Sequence, residues 1–141
     1  MRSVPIEALQ RVSLFSDLKK REIQEIARSF KEHHFAAGAT IVKEGSGGVA
    51  FFVIKSGQAK VFVGGKRRAT LKPGDYFGEI ALIDRGSRLA TVTAFSDLVC
   101  YCTTSWEFRP LVEGNGVIGW KLLQQMAKML RATRGDLEQS G

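Results

Sequence analysis

Apolar positions change their period twice along this chain. Early on they fall at Ile6, Leu9, Leu18, Ile23, Ile26, Ala27 and Phe30, close to the 3.6-residue repeat of helices with one buried face. The pattern predicts helices over 6–30, with Ser16 or Asp17 capping the second and Lys19, Lys20 and Arg21 facing solvent. From residue 35 to 103 the helical repeat is replaced by short β-branched and aromatic runs: Thr40-Ile41-Val42, Phe51-Phe52-Val53-Ile54, Ala59-Lys60-Val61-Phe62-Val63, Arg68-Ala69-Thr70-Leu71, Ala90-Thr91-Val92, and 98–102. Turn signals lie between them at Ala37-Gly38, Gly45-Ser46-Gly47-Gly48, Ser56-Gly57, Gly64-Gly65 and Pro73-Gly74-Asp75. Gly64-Gly65, between Val63 and Lys66, predicts a tight hairpin. Many short strands at this spacing predict an antiparallel sandwich or barrel. The helical period returns at Ser105, which is expected to cap a helix over 106–113 with Glu107 in its first turn. Gly114-Asn115-Gly116 interrupts it, and 117–137 is the longest predicted helix.

The 141 residues amount to one domain. Its expected divisions are a helical part over 1–34, a strand-rich part over 35–104 and C-terminal helices over 105–138. The fold class is therefore mainly β with flanking helices. There is no internal repeat and no low-complexity tract.

Composition removes several function classes. Hydrophobic residues make up 44% and charged ones 25%, ordinary for a globular protein. No apolar run approaches the roughly 20 residues of a membrane helix, and the N-terminus lacks the apolar core of a signal peptide. A cytoplasmic location without a membrane partner is the expectation. Cys100 and Cys102 are two apart in a predicted strand, a spacing that strains a disulfide, so free thiols in a reducing compartment are expected. The only histidines, His33 and His34, are adjacent and precede the predicted strands. They supply no ligand set for a metal, which argues against a metal-dependent enzyme. Net charge is +7, but the cations are scattered over 19–21, 66–68 and 128–134 without interleaved aromatics. Direct binding of nucleic acid is not expected from that distribution.

The informative chemistry lies in 73–94. There Glu79 follows Phe77-Gly78 and precedes Arg88 by nine residues. A glycine followed by free backbone N–H groups can form an anion-binding concavity. An arginine fork can hold a phosphate through two parallel hydrogen bonds. An ionised Glu79 only accepts, so its natural partner is a hydroxyl such as a sugar 2′-OH. Together these describe a ribose-phosphate pocket. Arg85 is read as a solvated loop residue, because Ala90-Thr91-Val92 places Arg88, not Arg85, in register.

Phe77-Gly78-Glu79-Ile80-Ala81-Leu82, a short loop, and Arg88-Leu89-Ala90-Thr91-Val92 resemble the phosphate-binding cassette of cyclic nucleotide-binding domains of the catabolite-activator and protein kinase A regulatory-subunit type. Gly38, Gly45, Gly57 and Gly74 match in register, and the resemblance runs over about 14–137. It implies a double-stranded β-helix (jelly roll) with N-terminal helices and a C-terminal hinge or lid helix. It also implies a non-catalytic sensor with no cofactor, whose ligand is cAMP, with cGMP as the second candidate. In that reading Gly78, Ile80 and Ala81 offer backbone N–H groups to the phosphate, beside Arg88. Glu79 takes the ribose hydroxyl, Leu89 and Ala90 complete the pocket, and Thr133 or Arg134 reaches the base from the last helix.

Two positions depart from the family pattern. Leu89 stands where Ala, Ser or Thr is usual and offers no hydroxyl to a guanine amino group, which favours cAMP. Ser87 replaces a common proline. The spacing of Leu123, Met126, Leu130, Thr133 and Leu137 suggests packing on the roll or a homodimer through the last helix, with an output protein still to be identified. The alternatives are a degenerate roll used for interaction or dimerisation, and the sensor part of a DNA-binding regulator.

Overall fold

The computed structural model describes residues 4–84 and 86–140, with side chains to residue 135. Eight strands form among the described residues: β1 Lys31–Phe35, β2 Thr40–Val42, β3 Ala50–Ser56, β4 Ala59–Val63, β5 Lys66–Leu71, β6 Tyr76–Phe77, β7 Thr91–Ala94 and β8 Leu98–Thr104. They make two four-stranded sheets, ordered β1-β8-β3-β6 and β2-β7-β4-β5, with every pairing antiparallel. Apart from the β4–β5 hairpin, each successive strand joins the opposite sheet. The chain thus winds as a double helix of strands, the jelly roll that the cassette resemblance implied. Helices α1 (Ile6–Gln10) and α2 (Lys20–Ala27) come before the roll, and α3 (Ser105–Glu113) and α4 (Gly116–Ser140) after it.

The apolar run of β3 explains how the helices attach. Phe52 and Ile54 face the space between the sheets with Ala59, Phe77, Val92, Leu98 and Cys100. Phe51 and Val53 point the other way, into a second core with Phe15, Ile26, Phe30, Phe108, Ile118 and Leu122. The Phe51 ring meets those of Phe15, Phe30 and Tyr76 edge-on at 5.8–6.1 Å, the geometry aromatic pairs prefer. One strand therefore serves two cores. Cys100 and Cys102 are buried free thiols, and burial pushes the Cys100 thiol up to about 12.

Several local expectations are corrected. The roll begins at Lys31, before residue 35, so His33 and His34 lie within β1, paired with β8. Among the described residues no group of His, Cys, Asp or Glu is arranged to hold a metal. Neither Ser16 nor Asp17 caps α2. Ser16 donates to the Ser13 carbonyl (2.8 Å), and the Glu22 carboxylate instead reaches back to the Lys19 N–H (2.7 Å). Ser105 is the first residue of α3 and not its cap; it is buried and its hydroxyl has no partner. Asn115 caps α4, its Oδ1 accepting from the N–H of Val117 (3.1 Å) and Ile118 (3.4 Å). No helix among the described residues is long and apolar enough to cross a membrane.

Helix α4 lies against the N-terminal helices. Its buried face is Ile118, Leu122 and Gln125, rotated by about one residue, roughly 100°, from the stripe expected from sequence. Of that stripe, Leu123, Leu130 and Thr133 are exposed, Met126 packs against the core, and the Leu137 side chain lies outside the described residues. Two ion pairs fix the orientation: Lys121 Nζ to Glu22 Oε1 at 2.7 Å and Lys128 Nζ to Asp17 Oδ2 at 3.1 Å. The Lys121 hydrogen bond, helped by the Lys19 N–H, holds the Glu22 carboxyl below its ordinary range. A carboxylate with a depressed folded-state pKa adds stability above its unfolded pKa, and that stability is lost as pH falls through the lowered value.

Glu22→Ala should therefore cost about 1–3 kcal/mol, since it leaves a mostly buried ammonium and an N–H unpaired. Urea denaturation at neutral pH measures the loss. Hydrogen exchange should place the lost protection in α2 and the first half of α4.

Candidate functional site

The cassette is a sharp change of direction built on one glycine. Gly78 ends β6 in the left-handed region, with φ of +86°. A Cβ there would stand 2.8 Å from the Ala50 carbonyl oxygen and 2.9 Å from Arg88 Nη1, so both the backbone angle and the space require glycine. The chain then enters a 3-10 turn, Glu79–Leu82, whose first amides have no partner within the turn. The Ala81 N–H is already committed to the Gly78 carbonyl at 3.1 Å. Of the three expected backbone donors it is the one least available to a ligand.

Arg88 arrives from the other side, just before β7. Its backbone is clamped to the turn after β2: its N–H donates to the Ser46 carbonyl (2.8 Å) and its carbonyl accepts from Gly45 (2.9 Å). The half-buried guanidinium donates from Nη2 to the Ala50 carbonyl at 2.8 Å, while Nε is buried with no partner. Burial lowers the Arg88 pKa. Glu79 is also partly buried, and that burial raises its carboxyl above the ordinary range, its own backbone N–H pulling the other way. Neither charge has an ion pair among the described residues. The site thus holds a cation with an idle donor and a carboxylate with no external donor.

Both face one pocket of about 270 Å³. Gly78, Glu79, Ile80, Ala81, Arg88, Leu89 and Ala90 line it, so seven of the nine expected residues converge. Phe77, Val42, Val61 and Val92 supply an apolar wall from both sheets. Leu89 is 82% exposed and hangs at the mouth. The other two residues do not converge. Thr133 and Arg134 are exposed on α4 and absent from the pocket, and the Thr133 hydroxyl donates to the Met129 carbonyl of its own helix (3.1 Å). They are kept away because α4 is tied to Glu22 and Asp17 on the helical side. Arg85 lies outside the described residues. Sequence reasoning missed Ala50 and the 45–46 backbone, which act through carbonyl and amide groups that no side-chain pattern marks.

A larger, mostly apolar groove of about 570 Å³ runs between the 3-10 turn and the two C-terminal helices, past Leu82, Ile83, Phe108, Leu122 and Leu123. It contains neither Glu79 nor Arg88. The groove has its own charged rim in Arg109 and Glu113, and the Glu79–Arg88 pocket is separate from it.

The family model for the cyclic nucleotide-binding domain matches residues 32–115. A cGMP-dependent protein kinase of Toxoplasma gondii is 40% identical over 92 residues, covering 65% of this chain and 9% of the kinase. A cAMP-dependent protein kinase regulatory subunit of Emericella nidulans is 41% identical over 92 residues, covering 64% of this chain and 22% of that protein. The chain therefore spans less than a quarter of either relative's length. Among solved structures, the N-terminal domain of a transcriptional regulator from Streptomyces coelicolor A3(2) superposes with a TM-score of 0.82 at 27% identity, covering 89% of this chain and 94% of that one. The catabolite activator protein of Thermus thermophilus gives 0.71 at 27% identity, covering 89% and 62%.

The raised Glu79 carboxyl has a consequence for stability. The folded chain holds that proton more tightly than the unfolded chain, so this group's contribution falls as pH rises through the carboxylate range. Glu79→Gln should remove the contribution. Between about pH 4 and pH 7, the difference in urea midpoint between the variant and the parent should grow in the variant's favour. Parallel profiles would place Glu79 in an ordinary solvated setting.

Proposed function

The chain belongs to the cyclic nucleotide-binding domain family, and from that premise we propose that it is a non-catalytic receptor module for a cyclic nucleotide, with cAMP preferred. The observation that carries this reading is the placement of Arg88 and Glu79 in one pocket, each partly buried and neither ion-paired among the described residues. Desolvation leaves such groups in need of a partner. A cyclic phosphate satisfies Arg88 by charge-assisted hydrogen bonds, and a ribose 2′-OH satisfies Glu79. No cofactor is needed for that recognition. A degenerate, non-binding roll would gain nothing from keeping these two charges desolvated.

The relatives named for cAMP and for cGMP are equally similar, so the base preference rests on Leu89. Its methyls at the pocket mouth offer guanine no hydrogen bond. Output would come from α4. In the present position it is tied to Glu22 of α2 and to Asp17, and Thr133 and Arg134 are remote from the pocket. Ligand would favour a second position in which α4 leaves Glu22 and Asp17 and closes over the base, and the apolar groove beside the 3-10 turn leaves room for it. The shift can be no larger than the ligand's difference in affinity for the two positions. The exposed apolar side chains of α4, Trp120, Leu123 and Leu130, are also available to a second copy or to an output protein.

Calorimetric titration with cAMP tests the assignment. The parent chain should bind, and Arg88→Ala should lose on the order of tenfold to several-hundredfold in affinity, as expected for charge-assisted bonds of about 1.5–3 kcal/mol. Absence of binding by the folded parent chain would remove the receptor reading.

Leu89→Thr should raise cGMP affinity relative to cAMP by about two- to tenfold, the effect of one added hydrogen bond. Competition with both nucleotides on parent and variant measures it. Tighter cGMP than cAMP binding by the parent chain would overturn the stated preference.

A further inference from the structure

Gly48 stands in the turn between β2 and β3, and nothing in its backbone demands glycine. Its φ lies outside the left-handed range, unlike the φ of Gly45 and Gly78. What sets it apart is its neighbour. A Cβ built on Gly48 would collide with the Arg88 guanidinium: its three nearest atoms are all from that group, with Nη2 at 2.7 Å and Cζ at 2.8 Å. On the opposite side, a Cβ on Gly78 would meet Nη1. The guanidinium is thus seated in a slot between two glycines, with the Ala50 carbonyl holding Nη2.

We propose that Gly48 is a positioning residue for anion capture: its missing side chain creates the seat that aims the Arg88 guanidinium into the pocket. The inference rests on the receptor reading for its ligand, but the seat itself is a property of the free protein. The slot sets the surroundings of each guanidinium nitrogen. Nη2 is engaged on Ala50, and Nη1 is walled by Gly78. Nε is buried and unpartnered beside Gly48. A side chain of any size at residue 48 would take the volume that Nε and Cζ now occupy. The guanidinium would have to swing out, lose Ala50 and point away from the cassette. Because the displaced atoms are the far end of a flexible side chain and not backbone, the fold can accept this change where the site cannot.

Gly48→Ala separates positioning from general packing. It should leave the urea midpoint near that of the parent chain while weakening cAMP binding at least tenfold. In an Arg88→Ala background the same substitution should cost no further affinity, since the group it displaces is gone. Equal loss in both backgrounds, or parent-like binding by Gly48→Ala, would overturn the proposal. A second readout needs no ligand. The Arg88 Nε–H resonance in the parent protein should be protected from solvent exchange, and Gly48→Ala should abolish that protection. Unchanged protection would also refute the seat. If the parent chain binds no cyclic nucleotide, the receptor reading fails by itself, and the resonance still decides whether Gly48 seats Arg88.

Discussion

The structure depends on burying both faces of β3. A strand with four consecutive apolar residues, Phe51 to Ile54, cannot sit at a solvent-facing surface, so Phe51 and Val53 require a cover outside the roll just as Phe52 and Ile54 require the second sheet inside it. The cover is helical, and it is assembled from both ends of the chain: Phe15, Ile26 and Phe30 from the N-terminal part, Phe108, Ile118 and Leu122 from the C-terminal part. That one requirement brings sequence-distant helices together on a single face. It also leaves the opposite sheet, β2-β7-β4-β5, free to form one side of the charged pocket.

The start of β3 also joins the two functional regions. The Ala50 carbonyl takes the Arg88 guanidinium, and the neighbouring Val49 carbonyl takes the Ser105 N–H at 2.9 Å, the first amide of α3. Adjacent peptide groups thus hold the anion-seeking side chain and the root of the C-terminal helices. A change in how Arg88 is engaged acts on the same short piece of backbone that anchors α3.

Much of this could be read in the sequence because it is carried by side chains in regular patterns. Branched and aromatic runs marked β2, β3, β4, β7 and β8, and Gly78, Glu79 and Arg88 announced the pocket that the structure assembles. The unread parts have physical reasons. β1 is an edge strand whose Lys31, His33 and His34 face water while Glu32 is held by Lys55, so no apolar alternation betrays it. β6 is two residues long. The α2 cap reverses the expected direction, with a carboxylate from inside the helix reaching outward to Lys19. For α4 the helix itself was plain, but its partner was not. Which side of a weakly apolar helix is buried follows from Glu22 and Asp17, nearly a hundred residues away or more. The Arg88 seat was invisible because it consists of a missing side chain and a main-chain oxygen.

The Asn115 cap has a mechanical consequence. Because the capping side chain is the residue at the joint, a pivot of α4 there would leave its first turn closed. The helix is 25 residues long, about 37 Å at 1.5 Å per residue. A tilt of about 10° at the joint would carry its far end through roughly 6 Å. Length alone would then turn a small change of angle at the root into a shift as wide as a side chain at the tip, without any further device to amplify it.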